Sequence, residues 1–288
     1  MLQLLKHYGK KMKLLKTISE LRVYRNSLAG SLGFVPTMGF LHEGHMSLVH
    51  RSKSDCEHTI VSIFVNPTQF GPNEDFNSYP RDTDRDLTLL EKAGVDAVFS
   101  PSVNEMFPQG ADTFVIPGKI AERLEGAIRP GHFRGVATVV LKLFNLTQPL
   151  KAFFGQKDAQ QVAVIKKMVA DLNVPVEIIV VPTVRESDGL AMSSRNSYLD
   201  PTERQAATVL FRSLQLAEKL VADGERDAEV IKIRMTGIIG KEPLATLDYI
   251  SIADANSLDE RTLVVEPALI SLAVRIGCTR LIDNITLP

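Results

Sequence analysis

This sequence has few cysteines and almost no net charge, and each of these features excludes a class of protein. Two cysteines, Cys56 and Cys278, occur in 288 residues, which is too few for a disulfide framework. Each is expected to be a buried free thiol, because unpaired cysteine usually behaves as a small hydrophobic residue. The formal net charge of −1 offers no basic surface for nucleic acid or for an anionic membrane.

Long hydrophobic runs are also lacking. The longest apolar stretches, residues 136–141 and 268–274, fall far short of the roughly 20 residues that span a bilayer. Residues 1–16 mix lysine with leucine, without the apolar core and small-residue cleavage site of a signal peptide. These absences predict a cytoplasmic protein. The segment before Met12 is either a short extension or lies upstream of the true start.

Short β-rich runs alternate with longer helical patterns through the first two thirds of the chain. Strands are predicted at residues 31–35, 59–65, 97–99, 151–154 and 176–181, and helices at 45–54, 83–93, 133–146 and 158–171. Asp82 is expected to cap the helix at 83–93, and Gly94 is expected to end it. This alternation predicts parallel βαβ units, and therefore an α/β fold with a doubly wound, Rossmann-like parallel sheet. Ligands of such sheets lie beyond the carboxyl ends of the strands.

The pattern changes after about residue 186. Asp200, followed by Pro201 and Glu203, is typical of a helix start. A long helix is predicted to about residue 222, a second through 239, and strands at 244–253, 262–265 and 268–276. The sequence therefore predicts a Rossmann-like nucleotide-binding domain at residues 12–186 and a smaller C-terminal α+β domain at 187–288.

The tetrapeptide HEGH at residues 42–45 follows a predicted strand and opens a predicted helix. A helix amino terminus has free N–H groups and a positive dipole end, which suit a phosphate group. Gly44 permits close approach, and His42 and His45 offer two imidazoles to phosphoryl oxygens. A zinc pair or two solvated histidines is the alternative interpretation, although no further His or Cys cluster completes a closed metal site. No Walker loop or Gly-x-Gly-x-x-Gly fingerprint occurs.

HxGH at residues 42–45 resembles the signature of the class I nucleotidyltransferase superfamily, which includes aminoacyl-tRNA synthetases and cofactor adenylyltransferases. Four further segments resemble the pantothenate synthetase family within it: VNPTQFG (65–71), RPGHFRGV (129–136), FFGQKD (153–158) and MSSRN (192–196). The resemblance extends from about residue 14 to residue 284. Phe40 and Ala159 depart from it, since the family usually carries Ala and Tyr there, and neither replaces a motif residue.

The resemblance implies an ATP-dependent ligase that forms a C–N bond between (R)-pantoate and β-alanine through a pantoyl-adenylate intermediate. Pyrophosphate and AMP are the other products. Such an enzyme needs no nucleophile of its own, so its work is positioning and electrostatic stabilisation. The alternative is another HxGH-type adenylyltransferase of cofactor biosynthesis. A non-catalytic nucleotide-binding module on the same fold is a third reading, because fold alone does not determine function.

The same resemblance implies the catalytic residues: His45 as proton donor, with His42, Lys157 and Arg195. A solvated lysine and a simple Ser-Ser-Arg turn are the alternative readings of the last two. The residues expected to bind ATP are Met38, Gly39, Phe40, Leu41, His42, Glu43, Gly44, His45, Gly155, Gln156, Lys157, Asp158, Val184, Met192, Ser193, Ser194 and Arg195.

Two glutamines resemble the substrate-binding pair of the family. Gln69 is expected to bind pantoate and β-alanine, and Gln161 to bind pantoate. A neutral amide holds a hydroxyl or carboxylate oxygen without a full charge that would weaken the nucleophile. A surface glutamine is the alternative for each.

Magnesium is expected to accompany ATP, because the phosphates need charge neutralisation. The candidate ligands are Asp82, Asp84, Asp86 and Asp158, and at least two of these are more simply read as solvated helix-cap acids. The resemblance also implies a homodimer formed through the larger domain, with the smaller domain as a lid. Residues 192–196 lie at the predicted boundary, where hinges commonly occur.

Overall fold

The computed structural model describes residues 11–72 and 74–287, so residues 1–10, most of the segment before Met12, lie outside the described residues. The described chain begins with a six-stranded parallel sheet. Its strands are β1 (Lys13–Leu15), β2 (Leu32–Thr37), β3 (His58–Ile63), β4 (Ala97–Phe99), β5 (Lys151–Gly155) and β6 (Glu177–Val181). Their order across the sheet is β1-β4-β3-β2-β5-β6, which confirms the predicted doubly wound fold.

Helices cover both faces of this sheet. They are α1 (Ile18–Asn26), α2 (Glu43–Asp55), α3 (Thr83–Lys92), α4 (Val103–Met106), α5 (Glu125–Ile128), α6 (His132–Thr147) and α7 (Ala159–Asp171). Successive strand residues point to opposite faces. Phe34 is accordingly buried in one hydrophobic cluster with α6 and α7, and Val35 in another with α2 and α3. Because side chains on both faces of the sheet are buried, the strands have apolar residues at consecutive positions.

The third helix illustrates how local chemistry determines element boundaries. The Asp82 side chain accepts a hydrogen bond from the Arg85 N–H (3.1 Å) and caps the helix. Gly94, just beyond the other end, has a φ of 72°, the left-handed conformation that favours glycine. Both signals were predicted from the sequence and are confirmed.

The rest of the described chain folds around an antiparallel three-stranded sheet of order β7-β8-β9. Its elements are α8 (Pro201–Ala206), α9 (Val209–Ala222), α10 (Ala228–Ile239), β7 (Ala245–Asp254), β8 (Ala268–Ile276) and β9 (Thr279–Leu287). Asp200 caps α8, accepting from the N–H groups of Thr202 and Glu203 at 2.7 and 2.8 Å. This part has a hydrophobic cluster of its own, which includes Leu214, Ile231 and Leu272.

The strand predicted at residues 262–265 is wrong. The Ala228 N–H donates to the Thr262 carbonyl (3.0 Å), and the Val264 N–H donates to the Arg226 carbonyl (2.8 Å). The segment is therefore bonded to the residues that lead into α10 instead of to the sheet. The third strand of that sheet is β9, which the sequence pattern did not reveal, and β1 and α1 were likewise not predicted.

The single helix predicted from about residue 201 to 222 is also wrong, because the chain forms α8 and α9 with a turn between them. The Thr208 hydroxyl donates to the Gln205 carbonyl (2.8 Å), and the Leu210 N–H donates to the Ala207 carbonyl (3.2 Å). Such local bonds from a threonine side chain compete with the helical pattern.

The cysteine prediction is wrong as well. Cys278 is exposed in the turn between β8 and β9, and Cys56, at the end of α2, is partly exposed. Both thiols are free.

None of the helices in residues 11–72 and 74–287 is long and apolar enough to cross a membrane.

Candidate active site

The topology places two polar segments side by side. Strand order reverses between the neighbours β2 and β5, and this is the switch point where doubly wound sheets bind ligands. The HEGH segment follows β2, and the turn that carries Lys157 follows β5. A cleft with a volume of about 230 Å³ opens beyond these strand ends.

The loop between β2 and α2 is held in an unusual conformation by a carboxylate. Gly39 and Phe40 both have positive φ, at 84° and 50°. The buried Asp86 side chain accepts hydrogen bonds from the N–H groups of Phe40 and Leu41, both at 2.7 Å. Because Phe40 is not glycine, its left-handed backbone needs this support. Asp86 therefore fixes the conformation of the loop that leads into the HEGH segment.

The two histidines are oriented by the start of α2. His42 is the residue that caps the helix, and its Nδ1 accepts from the Gly44 N–H at 3.1 Å. Nδ1 of His45 accepts from the His42 N–H at 3.3 Å. In a neutral imidazole the other nitrogen then carries the proton. Each ring can therefore still donate a hydrogen bond through Nε2–H. Both residues line the cleft.

Both histidines are neutral at physiological pH. Burial, together with the charge of Lys157, lowers the pKa of His42 to about 4. Burial lowers the pKa of His45 to about 3, with further contributions from His42 and Lys157. The free protein therefore presents two neutral Nε2–H donors to the cleft. Glycine is needed between them, because a Cβ at Gly44 would lie 2.9 Å from the His42 ring.

A further histidine, which is buried, belongs to the same cleft. His132 Nδ1 lies 2.8 Å from the Gln69 carbonyl oxygen, to which it donates, and Nε2 lies 3.2 Å from the Arg129 Nη1 that donates to it. Burial, reinforced by the Arg129 charge, lowers the pKa of His132 to about 4. These contacts join the start of α6 to the backbone of Gln69.

These lowered pKa values predict a pH dependence of folding stability. Unfolded histidines bind protons near pH 6.5, whereas His42, His45 and His132 in the folded protein bind them only near pH 3 to 4. Between these limits the unfolded state binds more protons, so the free energy of unfolding decreases as the pH falls. Urea denaturation at several pH values between 7.5 and 4.5 measures this slope.

Carboxylates in the folded protein also contribute to the slope of unfolding free energy against pH. A variant is therefore needed to measure the contribution of a histidine alone. We expect His132→Asn to reduce the slope by up to about 1.4 kcal/mol per pH unit, the value for one proton. An unchanged slope in this variant would contradict the neutral state of His132.

The turn after β5 presents a lysine to the cleft. A short 3-10 helix, Gln156–Asp158, joins β5 to α7. Lys157 and Asp158 both line the cleft, with Lys157 Nζ 3.8 Å from an Asp158 carboxylate oxygen. The Gln156 side chain points away, and its Nε2 donates to side chains of β9. Lys157 is therefore the residue of this turn whose positive charge faces the cleft.

The two glutamines predicted to bind substrate reach the same cleft. Gln69 ends a 3-10 helix (Pro67–Gln69) after β3, and Gln161 lies in the first turn of α7. The Asn66 Nδ2 donates to the Gln69 Oε1 (3.0 Å) and to the Gly135 carbonyl (3.2 Å). These bonds fix the Gln69 amide against α6.

The arginines of the cleft are paired with carboxylates from one loop. Arg195 contacts both carboxylate oxygens of Asp75, through Nε at 3.0 Å and Nη2 at 2.9 Å. Arg129 contacts both carboxylate oxygens of Glu74, through Nε at 2.8 Å and Nη2 at 2.5 Å. Within the described residues, Lys157 in contrast makes only the looser contact with Asp158. Asp75 uses two of the five N–H donors of Arg195, so the guanidinium enters the cleft already paired with a carboxylate.

Most of the predicted site residues meet in this cleft. Those that line it are Met38, His42, Gly44, His45, Gln69, Gly155, Lys157, Asp158, Gln161, Val184, Met192, Ser193, Ser194 and Arg195. Those that do not line it are Gly39, Phe40, Leu41, Glu43 and Gln156. The MSSRN segment reaches it because the Ser194 hydroxyl donates to the Phe40 carbonyl (3.3 Å), which joins the two sequence signatures.

Some residues of the cleft were not predicted. Asn66, Arg129 and His132 lie inside the segments that resemble the family, so the motifs held a usable signal for them. Tyr79 and Thr183 carried no such signal. Within the described residues the Thr183 hydroxyl is buried without a hydrogen-bond partner, and it lies at the cleft beside Val184.

The four candidate magnesium ligands differ in position. Asp158 is the only one of the four that lines the cleft. Asp86 is committed to two backbone N–H groups, Asp82 caps α3, and Asp84 is exposed in the first turn of that helix. In the described part of the chain, no group of three or more His, Cys, Asp or Glu residues could hold a metal ion.

Similarity to known proteins shows the family of this chain. The family model described as pantoate–β-alanine ligase matches residues 13–286. The chain belongs to the pantoate–β-alanine ligase family. Among its curated relatives are the pantothenate synthetase of Roseiflexus castenholzii, 60% identical over 95% of this chain and 98% of the relative, and that of Herpetosiphon aurantiacus, 58% identical over 96% and 100%.

Solved structures of pantoate–β-alanine ligases share the fold. Pantothenate synthetase from Thermus thermophilus is 46% identical, with a TM-score of 0.91 over 95% of this chain and 99% of that one. The Francisella tularensis pantoate–β-alanine ligase, complexed with beta-gamma ATP and β-alanine, is 38% identical, with a TM-score of 0.80 over 96% and 97%. Both likenesses cover the two sheets together.

Proposed function

We propose that this chain joins (R)-pantoate to β-alanine while ATP is cleaved to AMP and pyrophosphate. The observation that supports the proposal most directly is the set of side chains that line one cleft at the switch point of the sheet. Groups suited to phosphate, namely His42, His45 and Lys157, share it with the amides of Gln69 and Gln161. Membership of the pantoate–β-alanine ligase family supports the same activity.

The reaction has two steps. In the first, a pantoate carboxylate oxygen attacks the α-phosphorus of ATP, the C–O–P bond of pantoyl adenylate forms, and pyrophosphate leaves. In the second, the β-alanine amine attacks the acyl carbon, and AMP leaves with the oxygen that came from pantoate. Neither step requires a protein nucleophile, so catalysis rests on positioning and on stabilising charge at the phosphates.

His45 acts first as a hydrogen-bond donor in this proposal. Its lowered pKa keeps the ring neutral before ATP arrives, and Nε2–H faces negative charge that develops on the phosphate oxygens. Triphosphate charge favours protonation of a nearby imidazole, so bound ATP raises that pKa and permits proton donation to the leaving pyrophosphate. His42 supplies a second neutral donor, and Lys157 supplies a positive charge.

The remaining predicted contacts complete the proposed site. Gln69 and Gln161 hold pantoate through neutral amides, and Gln69 also contacts β-alanine. Residues of the loop before α2, of the turn at 155–158, of the MSSRN segment and Val184 surround ATP. Arg195 donates to the phosphates through N–H groups that its pair with Asp75 does not use.

Magnesium is proposed to bind together with ATP. The Asp158 carboxylate fits a shared site with substrate phosphates, because Mg²⁺ typically uses one or two carboxylates besides phosphate oxygens. The bound ion would neutralise phosphate charge. The residues of the cleft would position the triphosphate around it.

The domain organisation is also a proposal: a boundary at residues 186 and 187, with the C-terminal domain acting as a lid. The separate hydrophobic clusters of the parallel and antiparallel sheets support this division. A homodimer formed through the larger domain and a cytoplasmic location are proposed from the family resemblance. Scattering with and without ATP and pantoate would test the lid, since closure compacts the protein.

The activity is tested by labelling the pantoate carboxylate with ¹⁸O. We expect AMP release to require both pantoate and β-alanine, and one ¹⁸O atom to appear in AMP. Pantoate alone should support exchange of labelled pyrophosphate into ATP. AMP release that is equal with and without β-alanine would exclude the ligase and favour another adenylyltransferase of the same superfamily.

A further inference from the structure

We propose that Asn284, on the last strand of the C-terminal sheet, is a positioning residue for Lys157 and so couples that sheet to the phosphate site. The proposal rests on the proposed function, because Lys157 matters only if the cleft binds phosphates. Asn284 is buried, with 4% of its surface exposed, and it lies on β9 outside every segment that suggested the activity.

The contacts of the Asn284 amide are directed at the backbone of the turn that carries Lys157. Its Nδ2 donates to the carbonyl of Lys157 (2.8 Å) and to the carbonyl of Gln156 (3.1 Å). Its Oδ1 accepts from the Gln156 Nε2 (3.1 Å). Both hydrogens and the oxygen of the amide are therefore used, and two successive peptide groups are held by one side chain.

The turn has little else to fix it at this end. No side-chain hydrogen bond caps the 3-10 helix Gln156–Asp158 or the start of α7 within the described residues. The orientation of the Lys157 peptide determines where its ammonium group points in the cleft. Asn284 instead holds this turn from a distant part of the chain, by donating to two of its backbone carbonyls.

The residue before Asn284 makes a parallel contact with the neighbouring loop. Asp283, which is almost fully buried, pairs with Arg185 through both carboxylate oxygens, at 2.7 and 3.0 Å. Arg185 also donates to the Asn284 carbonyl (3.3 Å) and immediately follows Val184 at the cleft. Two successive residues of β9 therefore hold the segments that follow β5 and β6. A movement of the C-terminal sheet would be transmitted to both.

The test uses pantoate-dependent ATP–pyrophosphate exchange, which follows the first step without β-alanine. We expect Asn284→Ala to lower the exchange rate by roughly 10- to 100-fold, the cost of misplacing a catalytic group by about 1 Å. The affinity for pantoate should change less, because Gln69 lies on the separate Pro67–Gln69 segment. Thr286→Val is the matched control, because Thr286 also contacts Gln156 from β9 but is exposed and leaves both carbonyl contacts intact. It should remain within about twofold of the wild type.

A double-mutant cycle separates positioning of Lys157 from general weakening of β9. If Asn284 acts through Lys157, removing Asn284 in a Lys157→Ala background should change the exchange rate by less than about twofold. The same fold loss in both backgrounds, or an equal loss in Thr286→Val, would overturn the proposal. If Asn284→Ala does not fold, Asn284→Ser enters the same cycle, since its side chain is too short to reach both carbonyls. A wild-type protein without exchange activity would instead contradict the proposed function.

Discussion

We expect His45→Ala to lower kcat by about 10²–10³-fold, the usual cost of losing one acid/base group or one transition-state donor. The imidazole is held with Nδ1 on the His42 N–H, and its Nε2–H is free to donate in the cleft. Alanine removes that donor and leaves the developing phosphate charge without it. Steady-state AMP release at saturating ATP, pantoate and β-alanine measures the loss.

His50→Ala is the matched control for this substitution, because His50 lies exposed on the same helix α2. It should retain kcat within about twofold. His45→Gln distinguishes the two roles of the ring, since an amide donates a hydrogen bond but does not transfer a proton. Partial recovery in His45→Gln would indicate hydrogen-bond donation, and a loss equal to that of alanine would indicate proton transfer. Near wild-type turnover in His45→Ala would refute both roles.

Gly135→Ala is expected to damage both folding and pantoate binding. A Cβ at this position of α6 would lie 2.6 Å from the Gln69 backbone nitrogen and still closer to the Thr68 carbonyl. Because the obstructing atoms are backbone, either α6 or the Pro67–Gln69 turn has to move. Overpacking of this kind typically costs 1–3 kcal/mol, so we expect the free energy of unfolding to decrease by about 3 kcal/mol.

The functional consequence follows from the same displacement. A shifted Gln69 amide should raise KM for pantoate by about tenfold or more, since about 1.4 kcal/mol of lost binding corresponds to a factor of ten. KM for ATP should change less, because His42 and Lys157 lie on other segments. Urea denaturation and pantoate titrations measure the two effects.

Gly237→Ala provides the control for that substitution. Gly237 lies within α10, and no heavy atom of the described residues other than its own helical neighbours lies within 4 Å of the added Cβ. There the change should be neutral or should stabilise by up to about 1 kcal/mol, the difference in helix propensity. If Gly135→Ala left both the unfolding free energy and the pantoate KM unchanged, the close packing of α6 on the Gln69 turn would be contradicted.

The parts of the site that could be predicted from the sequence consist of residues that lie close together along the chain. HEGH was identified because a strand, a glycine and a helix start stand next to one another, and local chemistry of this kind depends on neighbours along the chain. The helix of residues 83–92 was located for the same reason, from Asp82 and Gly94. The FFGQKD and MSSRN segments pointed to Lys157 and Arg195 through resemblance, without indicating how either side chain is oriented.

Contacts between distant residues carried the part that could not be predicted. Glu74 and Asp75 neutralise two arginines of the cleft across 55 and 120 residues of sequence, and no local pattern marks them. The lowered pKa of His45 depends on burial by the folded chain. In the antiparallel sheet, residues 262–265 looked like a strand and β9 did not, because strand formation depends on which edge is available to pair with.

The sequence by itself determined the alternation of strands and helices, the caps at their ends and the phosphate-binding character of the segment at residues 42–45. These features follow from side-chain periodicity and from hydrogen bonds within a few residues. Only the tertiary structure decided that the segments after β2 and β5 meet, because strand order reverses between these two neighbours. It also decided that the Asn284 amide holds the Lys157 turn across 127 residues, a contact that exists only when the two sheets dock.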